Sequence, residues 1–269
     1  MDKPHKHTDF FVNHISKTLN HFNDKEVNEI QLFIIGLLQR LKHTSTQLKI
    51  TFRNIVTIPE LEFSAGISVR ALLFDTLIAL NLYKILAEAE NAGTSQKEIE
   101  EIAKKYCIQM LADGLTTTIN YAELSKNVGF IDEAKLKVSY NNFAISYKDY
   151  LEDHLGDGSK PKVKFKKAPK TTELFIQLAM TTELKEISKI YDAYVFYSKY
   201  DHFGILYFDI LKISLEDRFI HLKKSIRILV GHQVNLFSIL NKFSNGDKFV
   251  EEQYKISENY LTQIMKSSS

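Results

Sequence analysis

Apolar residues recur at steps of three and four along nearly the whole chain, the spacing of amphipathic α-helices. No segment alternates apolar and polar residues over the length of a paired strand. The pattern predicts a first helix over 9–22. A second opens at Asn23 or Asp24 and runs through "EVNEIQLFIIGLLQRLKHTSTQLKITF". Pro59 suits the first turn of a third helix that reaches Glu90. "NAGTSQKE" interrupts the pattern and offers Thr94 or Ser95 as N-cap of a fourth helix ending near Gly129. A fifth covers 132–154, and "GDGSKPKVKFKKAPK" is the one long loop-like stretch. Helix restarts at Thr171 or Thr172, breaks near 181–186, and resumes as a tyrosine-rich helix to Asp201. A long helix over 206–243 comes next, then the turn "SNGD" and a last helix from an Asp247 cap to Met265.

These elements predict an all-α protein, an up-and-down multi-helix bundle of about eight helices in a single domain. N-terminal helices fill 1–57, a helical core fills 58–244 and a C-terminal helix fills 245–269. Any strand is confined to the lysine loop between Lys160 and Lys170, where the alternation of "KVKFK" suits either a solvated loop or a short edge strand or hairpin with Val163 and Phe165 turned inward. With 10 Gly and 4 Pro in 269 residues, turns are few and elements long.

A net charge of +2 is too small for bulk attraction to nucleic acid, so any basic site is local. The single cysteine, Cys107, excludes an intramolecular disulfide and a cysteine-built zinc site and suits a reducing compartment. The N-terminus has no signal-like apolar segment. The most apolar run, "ALLFDTLIALNLYKIL", is interrupted by Asp75, Asn81 and Lys84, so the expectation is a cytoplasmic protein with no membrane span.

Two charges stand inside that apolar third helix. Arg70 has Gly66, Ile67, Leu73 and Phe74 as helical neighbours, and Asp75 has Ala71, Leu72, Ile78 and Ala79. Five residues apart, they lie about 140° from each other around the helix and pair poorly. Each needs a partner from another helix or from a ligand. An interhelical ion pair and a phosphate-holding site are both open at this point. Four tyrosines (191, 194, 197 and 200) recur every third residue, either as core or as a face for stacking nucleobases. "YSKYDHFG" then gathers Ser198, Lys199 and His202 at an expected helix end. The loop lysines Lys162, Lys164, Lys166 and Lys167 are candidates for phosphate contact, with Tyr197 and Tyr200 as stacking partners. There is no phosphate-binding Gly-rich loop, no Gly-x-Ser-x-Gly, no His-Glu-x-x-His and no Glu-x-x-His, so no metal or cofactor is expected.

"GISVRALLFDTLIALNLYKIL", followed downstream by "YDAYVFYSKYDHFG" and another long helix, resembles a bacterial group of HEPN-like helical proteins. The resemblance covers residues 59–243 approximately. It implies a HEPN-like core, a homodimer, and a place in a bacterial defence or stress system. It also implies that Arg70 and His202 share a cleft with Ser198 nearby and Asp75 as the accompanying acid. Many HEPN domains are metal-independent ribonucleases, while others only bind nucleotides or act as scaffolds. In a ribonuclease, His202 would take the proton of a ribose 2′-hydroxyl or protonate the leaving oxygen, and Arg70 would hold the phosphate. Active members carry Arg-x(4–6)-His, which Arg227 and His232 match as a second pair. The rival expectation is a non-enzymatic helical interaction module, in which Arg70 and Asp75 are structural and the tyrosine face packs against protein.

Overall fold

The computed structural model describes residues 4–152, 158–181, 187–201 and 205–266. Among them the fold is all-α. The helices are α1 (Pro4–Phe22), α2 (Glu29–Asn54), α3 (Leu61–Asn91), α4 (Gln96–Asn127), α5 (Glu133–Ser146), α6 (Thr171–Ala179), α7 (Ile187–Asp201), α8 (Ile205–Lys212), α9 (Leu215–Lys242) and α10 (Lys248–Lys266).

Short side-chain locks set most of these boundaries. Asn28 and Gln31 form a reciprocal capping box at the start of α2, later than the expected Asn23 or Asp24. Ser95 and Glu98 do the same for α4. Asp132 caps α5, and the Asp247 carboxylate accepts from the backbone N–H groups of Phe249 and Val250 at α10. At the end of α3, Gly93 takes a φ of 72°, open to glycine at little cost. The N–H of Thr94 then bonds the carbonyl of Ala89, and that of Gly93 the carbonyl of Glu90.

Two expected helices end early. The stretch 206–243 is divided, because Ser214 accepts from the N–H of Asp217 and starts α9 afresh. α5 stops at Ser146, and a 3₁₀ turn (Lys148–Tyr150) leads into an antiparallel bridge between Leu151 and Val163. Backbone bonds from Glu152 to Lys162 (2.8 Å) and from Lys164 to Tyr150 (3.0 Å) replace the helical ones. Val163 packs inward, as its alternation requires.

The chain divides into two compact units, residues 1–99 with 170–269, and residues 100–169. The expected boundaries at 57/58 and 244/245 both fall inside the first unit. There, α3 packs against α2, α6, α7 and α9, while α1 lies on α2 and α10 on α9. Leu72, Leu73, Leu77, Ala79 and Leu82 of α3 are at most 2% exposed. Each such leucine contributes roughly 1.5–3 kcal/mol by burial. In the second unit a small core gathers Ile119, Leu136, Tyr140 and Leu151.

α3 is long and apolar enough to cross a membrane by composition alone, with a mean hydropathy of 1.6 over its best window. More than half of that window is buried within the fold, as in the core helix of a soluble-type protein.

Candidate functional site

The charges of α3 meet partners on four other helices. Glu62, in its first turn, is 1% exposed. It accepts from Arg218 Nη1 of α9 at 2.7 Å and from the hydroxyl of Tyr200 on α7. Burial pushes the Glu62 carboxyl above its ordinary range, against the pull of Tyr200 and Arg218. The same burial raises the Tyr200 phenol, so it stays a hydrogen-bond donor.

One turn on, Gly66 lets α7 come close. A Cβ there would stand 3.0 Å from the Tyr200 ring and 3.2 Å from that of Tyr197. Tyr197 is 1% exposed, with its hydroxyl 3.3 Å from Ser225 Oγ of α9. Another turn on, the Arg70 guanidinium lies 5.4 Å from the Tyr194 ring centre, with Nη2 3.4 Å from the Tyr194 hydroxyl. The hydroxyl of Thr171, at the start of α6, reaches that same oxygen at 3.3 Å.

α3 and α7 are therefore antiparallel, with Tyr194 opposite Arg70 and Tyr200 opposite Glu62. Arg70 is half-buried, and Tyr194 is one of its contacts on α7. Asp75, 3% exposed, is bonded by Arg40 Nε of α2 at 2.6 Å. Burial outweighs the arginine and raises the Asp75 carboxyl to about 6. Farther along α3, Asn81 donates to the side chain of Gln177 and Lys84 to its carbonyl.

The expected site residues fall in several places. Arg70 and Asp75 reach different helices. Ser198 is half-buried, and its hydroxyl donates to the carbonyl of Val195 one turn back, at 2.6 Å. His202 lies outside the described residues. Arg227 is exposed while His232 is 1% exposed, so the second pair shares no open cleft. With no charged neighbour to offset burial, the His232 imidazole is driven down to about 3. Tyr197 and Tyr200 offer no face to a nucleobase, which corrects the stacking expectation; Gly66 brings α3 against their rings. Lys162, Lys164, Lys166 and Lys167 are exposed. Among the described residues, no three His, Cys, Asp or Glu side chains converge as for a metal ion.

Sequence reasoning passed over Glu62 and Arg218, the most enclosed ion pair of the seam. A signal was present: Glu62, Ala65, Gly66 and Val69 share one helical face, and a carboxylate on such a small-residue face faces a close neighbour. It also passed over a neutral polar cluster between α1, α9 and α10. There Gln233 Nε2 lies 2.6 Å from His14 Nδ1 and 3.2 Å from Ser257 Oγ.

No protein-family model matches this chain, and no curated protein or solved structure matches it either.

Proposed function

We propose that the chain is a cytoplasmic helical interaction module whose α3–α7–α9 seam is structural. One observation carries the reading: the charges set into core helix α3 meet groups of their own fold. Glu62 meets Arg218 and Tyr200, Arg70 meets Tyr194, and Asp75 meets Arg40. Phosphoryl chemistry needs donors aimed at the place where substrate charge develops. The surface offered to a partner is on the second unit, where Tyr121 and Leu124 of α4 and Val128 in the turn after it stand 64%, 56% and 54% exposed. A second copy of the chain is the partner proposed for that face, giving a homodimer.

A metal-independent HEPN-like ribonuclease of a bacterial defence or stress system is the second reading. Arg70 favours it, because a half-buried guanidinium set against a phenol is a group suited to holding a phosphate. Incubating the full chain with labelled single-stranded RNA and a chelator tests the two readings, with sedimentation velocity reporting the dimer. The module reading expects intact RNA. Cleavage that is lost in both Arg70→Ala and His202→Ala, with the melting temperature of the His202 variant unchanged, would establish the ribonuclease instead.

A further inference from the structure

The second unit carries an open groove of about 470 Å³, lined by Glu101, Ile102, Lys104, Lys105 and Ile108 of α4 and by Phe165 of the lysine loop. The loop is held in place. Besides the Leu151–Val163 bridge, the side chain of Gln109 donates to the carbonyl of Lys167 at 3.0 Å, and the N–H of Ala168 donates to Asp113 at 3.1 Å. Phe165 also rests edge-on against Tyr150, with ring centres 6.4 Å apart. A ring fixed in this way presents its surface at little entropic cost.

Charge surrounds the ring. Lys164 and Lys166 flank it in sequence, with Lys162 and Lys167 beyond, and all four are exposed. Among the described residues none of these four ammonium groups has an ion-pair partner, whereas Lys160 in the same loop is engaged by Glu123. Four like charges within six residues of a tethered segment repel one another, and an anionic occupant relieves that cost.

We infer that this groove binds single-stranded RNA, seating a base on Phe165, Ile102 and Ile108 while the lysines take the flanking phosphates. The inference goes beyond the module reading: RNA is a second partner, held at a groove separate from the α4 face proposed for the second copy of the chain. The apolar floor separates this occupant from an acidic peptide. A nucleotide places a flat ring and a phosphate within one residue. A carboxylate side chain brings charge without a ring, and the loop holds no arginine to grip it bidentately.

The test uses the full chain and a fluorescein-labelled oligouridylate of about a dozen nucleotides, followed by anisotropy from roughly 50 to 300 mM salt. Phe165→Leu keeps every charge, and it should weaken binding about ten-fold without changing the salt slope. The double variant Lys164→Gln/Lys166→Gln should flatten that slope by about 1.4, the share of two phosphate contacts. Those lysines are exposed, so this variant decides the matter even where Phe165→Leu lowers the melting temperature. Equal binding of polyglutamate, or two variants that bind like the parent chain, would overturn the inference. Failure to bind with RNA left intact removes the groove and spares the module reading. Binding accompanied by chelator-resistant cleavage removes the module reading and spares the groove.

Discussion

Two polar regions are buried in the first unit, and they are satisfied in different ways. In the seam of α3, α7 and α9 the groups are charged. The Glu62 carboxylate is covered from two sides, although Arg218 Nε has no partner among the described residues. In the cluster of α1, α9 and α10 the groups are neutral, and several atoms are left over. His14 Nε2 and Gln233 Oε1 lack a hydrogen-bond partner among the described residues, as do both ring nitrogens of His232, another buried neutral group of α9. The difference follows from cost. A neutral polar atom buried without a partner loses roughly 1–3 kcal/mol, whereas an unpaired charge loses several times that or gives up its charge. A fold can carry a few of the first kind. It pairs the second kind or shifts their protonation.

Removing a partner from the charged seam should therefore have the largest effect. Arg218→Ala leaves Glu62 buried with only the Tyr200 hydroxyl, and we expect a loss of about 3–5 kcal/mol in denaturant unfolding. The double variant Glu62→Leu/Arg218→Met should recover most of it, because the desolvation cost of both charges disappears with them. If Arg218→Ala unfolds like the parent chain, the seam holds no buried charge and the contrast between the two regions fails.

What the sequence disclosed depended on how local the cause was. Helical periodicity was readable because each buried stripe is written every three or four residues, and the Ser95 and Asp247 caps could be placed from neighbouring residues alone. The end of α5 at Ser146 was not readable. Leu151 pairs with Val163 across twelve positions, and no pattern within 132–154 announces that contact. The Ser214–Asp217 cap has a Ser-x-x-Asp spacing, but it lies inside a helical apolar pattern that continues on both sides. At the site, the need of Asp75 for a partner followed from its neighbours. That Arg40 would supply it, thirty-five positions away, did not. The burial of Tyr197 and Tyr200 turned on Gly66, whose missing side chain matters only once α7 is known to lie against it.

Protonation sharpens the contrast between buried charged and buried neutral groups, since Asp75 of α3 and His232 of α9 should respond to pH with opposite signs. Asp75 has a native pKa of about 6, above the 3.8 of an ordinary aspartate. Below pH 3.8 both folded and unfolded chains hold the proton. As pH rises towards 6 the unfolded chain ionises first, so stability falls. Asp75→Asn should remove that fall, leaving stability near pH 4 unchanged and raising it at pH 8 by about 3 kcal/mol at most, at about 1.4 kcal/mol per pH unit. Arg40 is 56% exposed and remains hydrated opposite the amide. Urea midpoints across this range check the slope. A variant that loses stability at pH 8 would mean that Arg40 outweighs burial.

The smallest expected effect belongs to a buried neutral group of α9, His232. His232 keeps a native pKa of about 3 against an ordinary 6.5, because burial opposes its charged form and no acid compensates. Above pH 6.5 the imidazole is neutral in both states and contributes no pH dependence. As pH falls below 6.5 the unfolded chain gains a proton that the folded chain refuses, so stability is lost steadily down to about pH 3. By pH 5 that loss is about 2 kcal/mol. His232→Leu replaces the ring with an apolar side chain of similar volume and leaves no polar atom to satisfy. It should be neutral or slightly stabilising at pH 8 and more stable than the parent chain by about 2 kcal/mol at pH 5. Unfolding the two proteins in urea at both pH values measures the difference directly. Equal stability at pH 5 would mean that His232 binds its proton in the folded chain as readily as in the unfolded one, and burial would then cost this imidazole nothing.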